Sequence, residues 1–519
     1  MIIFVNVMKK LFLAILSGLF LSCSWPAIGF FPFIFFAFVP LLILERKIKN
    51  SDINYKGRQL FGYTYLAFLI FNLITTYWVW HATSYGAIVA FLANTLLMTF
   101  CFYLFSKLNN ISSRLAYIGF ITLWISFEYL HFNWDLSWPW LTLGNVFSNS
   151  PEIIQWYEYT GFLGGSLWVL IINLLVFSFI SYKHRSTLIY LILCLIIPIV
   201  FSQFLVKDIK QEGTLDVVIV QPNIDPYTDK FNIGYKEQLA GFIELAKSEL
   251  TQETDLLLGP ETALLEGIWE NRIESTYSIM AFRNLQEEFP NLNILVGAST
   301  YKLFKEGEEL SETAREIRNQ NVFYDAYNSA IFIPDSGEIQ VYHKTKLVPG
   351  AEKMPFPKVL DKLGSLMINL GGIQGSLGSE NENYPFEING KVIKPLICYE
   401  SIYGDLENGV SDIISIITND GWWRETAGYK QHFAYARLRA IEERRSIIRS
   451  ANTGISGVIN QNGHIIQESK WDERVCLSTL VNLHQEQTFY STYGDYLGRL
   501  SVFLAFLLLI SSFVKRRIN

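Results

Sequence analysis

Long apolar runs fill the first two hundred residues of the chain and then stop. They lie near 9–24, 27–45, 59–78, 86–106, 114–131, 162–181 and 187–206, and an eighth returns at 497–514. Each approaches the roughly 20 residues needed to cross a bilayer as a helix. The pattern therefore predicts about eight spans, with the boundary between the first two blurred around Pro26.

Between residues 213 and 484 the pattern changes to short β-branched runs separated by helical spacing. LDVVIVQ at 215–221, DLLL at 255–258, NILVG at 293–297, and the stretches 329–334 and 412–418 read as buried strands, with a final strand pair at 450–460. Residues 235–250, 280–288 and 431–445 carry helical spacing. Short apolar strands alternating with helices predict an α/β sandwich. The glycine- and serine-rich stretch 363–382 has no period and reads as a long mobile loop. The chain thus divides into a helical membrane block at 1–206, an α/β domain at 213–484 and a last membrane helix at 497–514.

Composition agrees with a membrane protein. Hydrophobic residues make up 50% and charged residues 17%, below the roughly 25% of a soluble domain. Lys9 and Lys10, the cluster Arg46, Lys47, Lys49, Lys56 and Arg58, then Lys107 and Arg114, then Lys183 and Arg185, fall in alternate loops, and Lys515-Arg516-Arg517 follows the last run. The intervening loops at 77–85 and 132–160 hold neither lysine nor arginine. Basic residues stay on the cytoplasmic side, so both termini are expected in the cytoplasm and the 213–484 domain on the outward face. The uncharged loops hold aromatic clusters, among them Trp138-Pro139-Trp140. Interfacial anchoring accounts for most of these. The sharper reading is that Trp138 and Trp140 line a lipid-binding mouth, gated together with 363–382. The net charge of −6 gives no reason to expect nucleic acid, and the five cysteines show neither metal spacing nor a disulfide framework.

Candidate chemistry gathers at strand ends. Cys398 follows the apolar run Pro395-Leu396-Ile397 at once, where a sharp turn exposes a thiol nucleophile. Taken alone it reads more readily as a buried structural cysteine. Glu261 falls just past the run at 255–258. The order Pro260-Glu261-Thr262, then YHKTKLVPGAE at 342–352, ICYE at 397–400, NDGW at 419–422 and ARLRAIEERR at 436–445 resembles the nitrilase superfamily. Set between a block of spans and one last span, it resembles the apolipoprotein N-acyltransferase family over essentially the whole length.

That resemblance implies an αββα sandwich and a Glu261–Lys344–Cys398 triad. It implies supporting roles for Glu352 and Glu400, and places Phe231 where an aromatic substrate contact stands, with Phe for the usual Trp. Gly350-Ala351-Glu352 replaces the common aromatic-Gly-Glu. Asn328 and Trp422 are further pocket candidates. The chemistry is coherent on its own terms. A free thiol titrates near 8.5 and needs a base, which Glu261 supplies, while Lys344 and the Tyr399 backbone N–H suit a tetrahedral oxyanion. The implied reaction moves an acyl chain from a glycerophospholipid to a diacylglyceryl-cysteine lipoprotein through a Cys398 thioester. It uses no metal or other cofactor, and a monomer is expected. The alternative is a membrane-tethered amidase acting on a small amide.

Overall fold

The computed structural model describes residues 2–51, 54–109, 113–206, 212–356, 376–380, 384–404, 406 and 411–518. The chain forms two compact units. One comprises Met1–Trp80, Ser84–Lys207 and Thr488–Asn519, and the other His81–Thr83 and Asp208–Gln487.

The first unit is helical. Its elements are α1 (Ile2–Ser24), α2 (Val39–Lys49), α3 (Lys56–Thr76), α4 (Ser84–Asn109), α5 (Ser113–Leu130), α6 (Phe162–Tyr182), α7 (Arg185–Leu205) and a C-terminal helix, Tyr496–Ile518. Among the described residues, six helices are long and apolar enough to cross a membrane: α1, α3, α4, α6, α7 and the C-terminal helix. The apolar part of α5, Leu115–Leu130, is shorter.

The expected second span at 27–45 is not one helix. It is a 3-10 turn, Phe31–Phe36, followed by α2, each with a proline in its first turn. Proline has no N–H to continue a preceding helix, so it starts helical pieces rather than joining them. The break leaves backbone groups in an apolar setting, where each needs a partner. Asn173 of α6 supplies two: its Nδ2 donates to Ile34 O and its Oδ1 accepts from Phe38 N, both at 2.8 Å.

The second unit is a four-layer sandwich. Its strands are β1 (Thr214–Gln221), β2 (Leu256–Leu258), β3 (Leu264–Trp269), β4 (Asn293–Leu303), β5 (Arg315–Ile317), β6 (Val322–Ile333), β7 (Gln340–His343), β8 (Phe386–Ile388), β9 (Lys391–Ile397), β10 (Ile413–Thr418), β11 (Ser446–Ala451), β12 (Gly457–Ile459), β13 (Ile465–Glu468) and β14 (Val475–Asn482). One sheet runs β14-β1-β2-β4-β6-β5, with β3 on β4 and β7 on β6; the other runs β13-β12-β11-β10-β9-β8.

Alternation in β1 explains the layering. Leu215, Val217 and Ile219 point to a core shared with Ile393, Ile397, Ile413 and Ile417 of the second sheet. Val218 and Val220 point the other way, onto helices α8 (Tyr235–Lys247) and α9 (Tyr277–Glu288). The outer face of the second sheet, with Leu396, Ile414 and Ile416, is covered by α10 (Ala427–Glu443) through Phe433, Ala436 and Ala440. Strands buried on both faces read as unbroken apolar runs, which is how they appear in the sequence. The final strand pair forms from β11 and β12, with β11 beginning at Ser446, earlier than the stretch 450–460 suggested.

Candidate active site

β9 runs parallel to β10, with Ile393 opposite Ile413 and Ile397 opposite Ile417. The next residue, Cys398, turns into a short 3-10 helix with φ +52°. A side chain other than glycine held there costs about 1–3 kcal/mol and persists only where its surroundings fix it. Glu261 lies beyond the end of β2, and the following Thr262 also has positive φ, +48°. Lys344 follows β7, its N–H donating to Asn328 O at 2.9 Å. Three strand ends therefore present the three side chains, each less than a tenth exposed.

Lys344 Nζ lies 2.9 Å from Glu352 Oε1 and 3.4 Å from Glu261 Oε1. Asn328 Nδ2 bridges the same two carboxylates, at 2.8 Å from Glu261 Oε1 and 2.9 Å from Glu352 Oε1. The second oxygen of Glu261 accepts from Asn419 N at 3.0 Å, and that of Glu352 from Val348 N at 2.8 Å. One lysine thus sits between two carboxylates that are themselves fixed at both oxygens.

The electrostatics follow from burial. Burial pushes the Cys398 thiol well above its ordinary value and the Glu261 charge adds to this, while Lys344 pulls it back. The resting sulfur therefore carries its proton. Burial alone would lower Lys344, but Glu352, Glu261 and Cys398 hold it above the usual lysine range. Its positive charge is permanent at any working pH.

Glu400 ties the cluster together. It is wholly buried, which raises its carboxyl from the ordinary value, with Tyr342, Ile397 and Thr345 pulling it back. Its Oε1 accepts from Tyr342 Oη at 2.7 Å, Thr345 N at 2.6 Å and Thr345 Oγ1 at 2.7 Å, and its Oε2 from Ile397 N at 2.7 Å.

The remaining candidates are more dispersed. Tyr399 is buried and meets Tyr403 edge to face at 5.3 Å. Trp422 faces the Lys230 ammonium, 5.6 Å from the ring centroid, and packs on Tyr227. Phe231 lies in the short helix Asp229–Asn232, and its side chain is outside the described set. Trp138 and Trp140 belong to the helical unit. Trp140 sits in a 3-10 turn with its ring against Trp78 at 4.6 Å, and Trp138 Nε1 is buried with no hydrogen-bond partner among the described residues. Of the stretch expected to be a mobile loop, 363–375 and 381–382 lie outside the described residues. Its described part, 376–380, is anchored through Leu377 N to Glu352 O and Gly378 N to Ala326 O.

Sequence reasoning missed Lys230 as part of the site. It is 4% exposed, donates to Thr262 Oγ1 at 2.6 Å, and burial brings its ammonium down to about 8 against the pull of Glu261. It also missed Gly297, whose backbone supports Glu261 so closely that a Cβ would fall 2.6 Å from Glu261 Cα.

Residues 217–488, which hold the two-sheet sandwich, match the carbon–nitrogen hydrolase family. Residues 17–175 match the apolipoprotein N-acyltransferase N-terminal domain. The chain belongs to the apolipoprotein N-acyltransferase family, in which these two parts are joined. Apolipoprotein N-acyltransferase of Chlorobaculum tepidum is 29% identical over 98% of this chain and 97% of its own length. That of Thermotoga maritima is 25% identical over 98% and 94%, and that of Rickettsia prowazekii 29% over 96% of each. Among solved structures, the CN-hydrolase superfamily protein XC1258 of Xanthomonas campestris is 15% identical, with a TM-score of 0.36 over 52% of this chain and 91% of that one. The protein is therefore a membrane-helix-bearing acyltransferase of lipoprotein N-acylation.

Proposed function

We propose that Cys398 carries the acyl chain as a thioester, taken from a glycerophospholipid and given to the α-amino group of a diacylglyceryl-cysteine lipoprotein. The observation that carries this reading is the burial of Cys398, Glu261 and Lys344 at three strand ends, with Lys344 Nζ 3.4 Å from Glu261 Oε1. In the first step Glu261 takes the thiol proton as the sulfur attacks the ester carbonyl. Lys344, with the Tyr399 backbone N–H, stabilises the oxyanion. The intermediate collapses, the glycerol oxygen leaves with the proton from Glu261, and lysophospholipid departs. In the second step the acceptor amine attacks the thioester, Glu261 takes its proton, and the sulfur leaves and is reprotonated. Glu352 and Asn328 hold Lys344 and Glu261 in register throughout.

The charge-free loops support placing the 213–484 domain on the periplasmic side, with both termini cytoplasmic. Counting α5 and the broken segment before α3 as crossings keeps the number at eight, the even number this topology needs. The site then serves two lipid substrates at the outer leaflet.

Intact-protein mass spectrometry after incubation with phospholipid tests the reading. The expected result is one acyl mass on the wild type and none on Cys398→Ser. An adduct that survives in Cys398→Ser, or ammonia release from simple amides in place of acylation, overturns it.

A further inference from the structure

The space behind the Cys398 turn holds a second, wholly buried polar cluster that the acyl-transfer steps do not use. Asp420, His432 and Arg449 are all 0% exposed. His432 projects from the first half of α10, its ring edge-on to Trp423 at 5.4 Å. Its Nδ1 lies 2.9 Å from Asp420 Oδ1 and its Nε2 3.0 Å from the carbonyl oxygen of Cys398. Arg449 Nη2 donates to Asp420 Oδ2 at 2.7 Å and stands 3.0 Å from His432 Nδ1. Thr418 Oγ1 donates to Asp420 Oδ1 at 2.9 Å. Ser401 Oγ donates to the same Cys398 oxygen at 2.7 Å and lies 3.0 Å from His432 Nε2.

The proton positions follow from the partners. The Cys398 carbonyl in front of Nε2 can only accept, so Nε2 carries the proton, and in that neutral tautomer Nδ1 accepts from Arg449. The imidazole therefore addresses the nucleophile's backbone rather than its sulfur. It does not form the thiol–imidazole pair that a buried cysteine and histidine in one pocket would suggest.

The backbone it holds is the strained one. Cys398 has φ +52°, and that angle sets where Cβ, and so Sγ, points relative to Glu261 and Lys344. Strained residues at functional sites stay in place only when surrounding groups over-determine them. Ser401 and His432 both bond the carbonyl that this turn displaces, and Asp420 and Arg449 fix the ring that does so. Gly454 closes against the carboxylate, where a Cβ would fall 2.8 Å from Asp420 Oδ2. The cluster thus has no slack.

We infer that His432, fixed by Asp420 and Arg449, is a positioning residue for Cys398, its Nε2–H clamping the carbonyl that aims the thiol at the substrate ester. This rests on Cys398 being the nucleophile. Misplacing a reacting atom by about 1 Å costs on the order of 10²-fold in rate, and that is the loss expected here, with substrate affinity unchanged.

The test uses the full chain in detergent or liposomes, with single-turnover thioester formation from phospholipid followed by mass spectrometry. His432→Leu, which removes the donor, should slow the thioester step by about 10²-fold per folded molecule at unchanged KM. His432→Gln, which presents an amide N–H from the same distance, should recover most of the rate. His432→Asn, with its donor drawn back, should behave as Leu does and serves in its place should the Leu variant not fold. Equal losses in the Gln and Asn variants, or a wild-type rate per folded molecule in Leu or Asn, overturn the clamp. Cys398→Ser is run alongside: a surviving adduct there refutes the nucleophile itself, a separate failure from that of the clamp.

Discussion

Replacing Lys344 by methionine is the most demanding perturbation of the site, because the structure gives it two separable effects. Lys344 is 1% exposed and lies between Glu352 at 2.9 Å and Glu261 at 3.4 Å. Methionine fills similar volume without charge, leaving two buried carboxylates bridged by the single amide of Asn328. Removing one partner of a buried ion pair costs about 3–5 kcal/mol, because the remaining charge is left uncompensated. In a domain of this size each kcal/mol moves the melting temperature by about 2–4 °C, so a fall on the order of 10 °C is expected. The second effect is on rate. Loss of one preorganised oxyanion donor costs about 10²–10³ in turnover, and it acts on both half-reactions. The assay pairs melting in detergent with single-turnover thioester formation, each normalised to folded protein. A variant that melts normally refutes the reading of Lys344 as charge balance for the two glutamates. One that melts low but forms thioester at the wild-type rate per folded molecule refutes its oxyanion role and leaves it structural.

Two further expectations concern residues that the motifs do not contain. Gly297→Ala places a methyl 2.6 Å from Glu261 Cα and from Pro260 O, so the Glu261 turn must move. Thioester formation should fall by at least about 10²-fold, and an unimpaired rate would mean the turn is not rigid there. Lys230 titrates near 8 in the folded protein against an ordinary value of 10.5. Between those two values the unfolded chain keeps a proton that the folded chain has released, so this group makes stability rise with pH across the window. Lys230→Met should remove that rise, seen as a melting-temperature difference between wild type and variant that changes from pH 8 to 10.5. A difference constant with pH would mean that Lys230 is solvated and ordinary.

The parts of the site that were legible in the sequence are those whose position and chemistry coincide. Cys398 and Glu261 each follow a short apolar strand, and Lys344 lies in a motif of distinctive spacing, so local pattern pointed to all three. Asn328 was legible only as a pocket residue. Its bridge between Glu261 and Glu352 depends on the pairing of β4, β6 and β7, which no local pattern encodes. His432 gave no signal because it sits inside a helix, where a buried histidine and a surface histidine have the same spacing. The break inside the second apolar run was not legible for a related reason. Hydropathy counts apolar residues and ignores that Pro32 and Pro40 begin new helical pieces.

Glu400 explains why the tripeptide Cys398-Tyr399-Glu400 reads as one unit. Two residues after Cys398, its carboxylate accepts from Ile397 N, immediately before that cysteine, and from Thr345 N, immediately after Lys344. Those two backbone segments come from β9 in one sheet and β7 in the other. A fully buried carboxylate has no water to fall back on, so it must keep these donors or carry a heavy desolvation cost. The distance between Cys398 and Lys344 is therefore held by a side-chain bridge as well as by the summed packing of two sheets. An error in sheet-to-sheet packing would otherwise appear directly as an error in that distance. A carboxylate also suits the task better than an amide, since it can accept at both oxygens without presenting an N–H to the Ile397 or Thr345 donors. The second clamp, His432, meets a different backbone group of the turn, the Cys398 carbonyl, at 3.0 Å. Glu400 fixes the turn relative to Lys344, and His432 fixes the conformation of the turn itself.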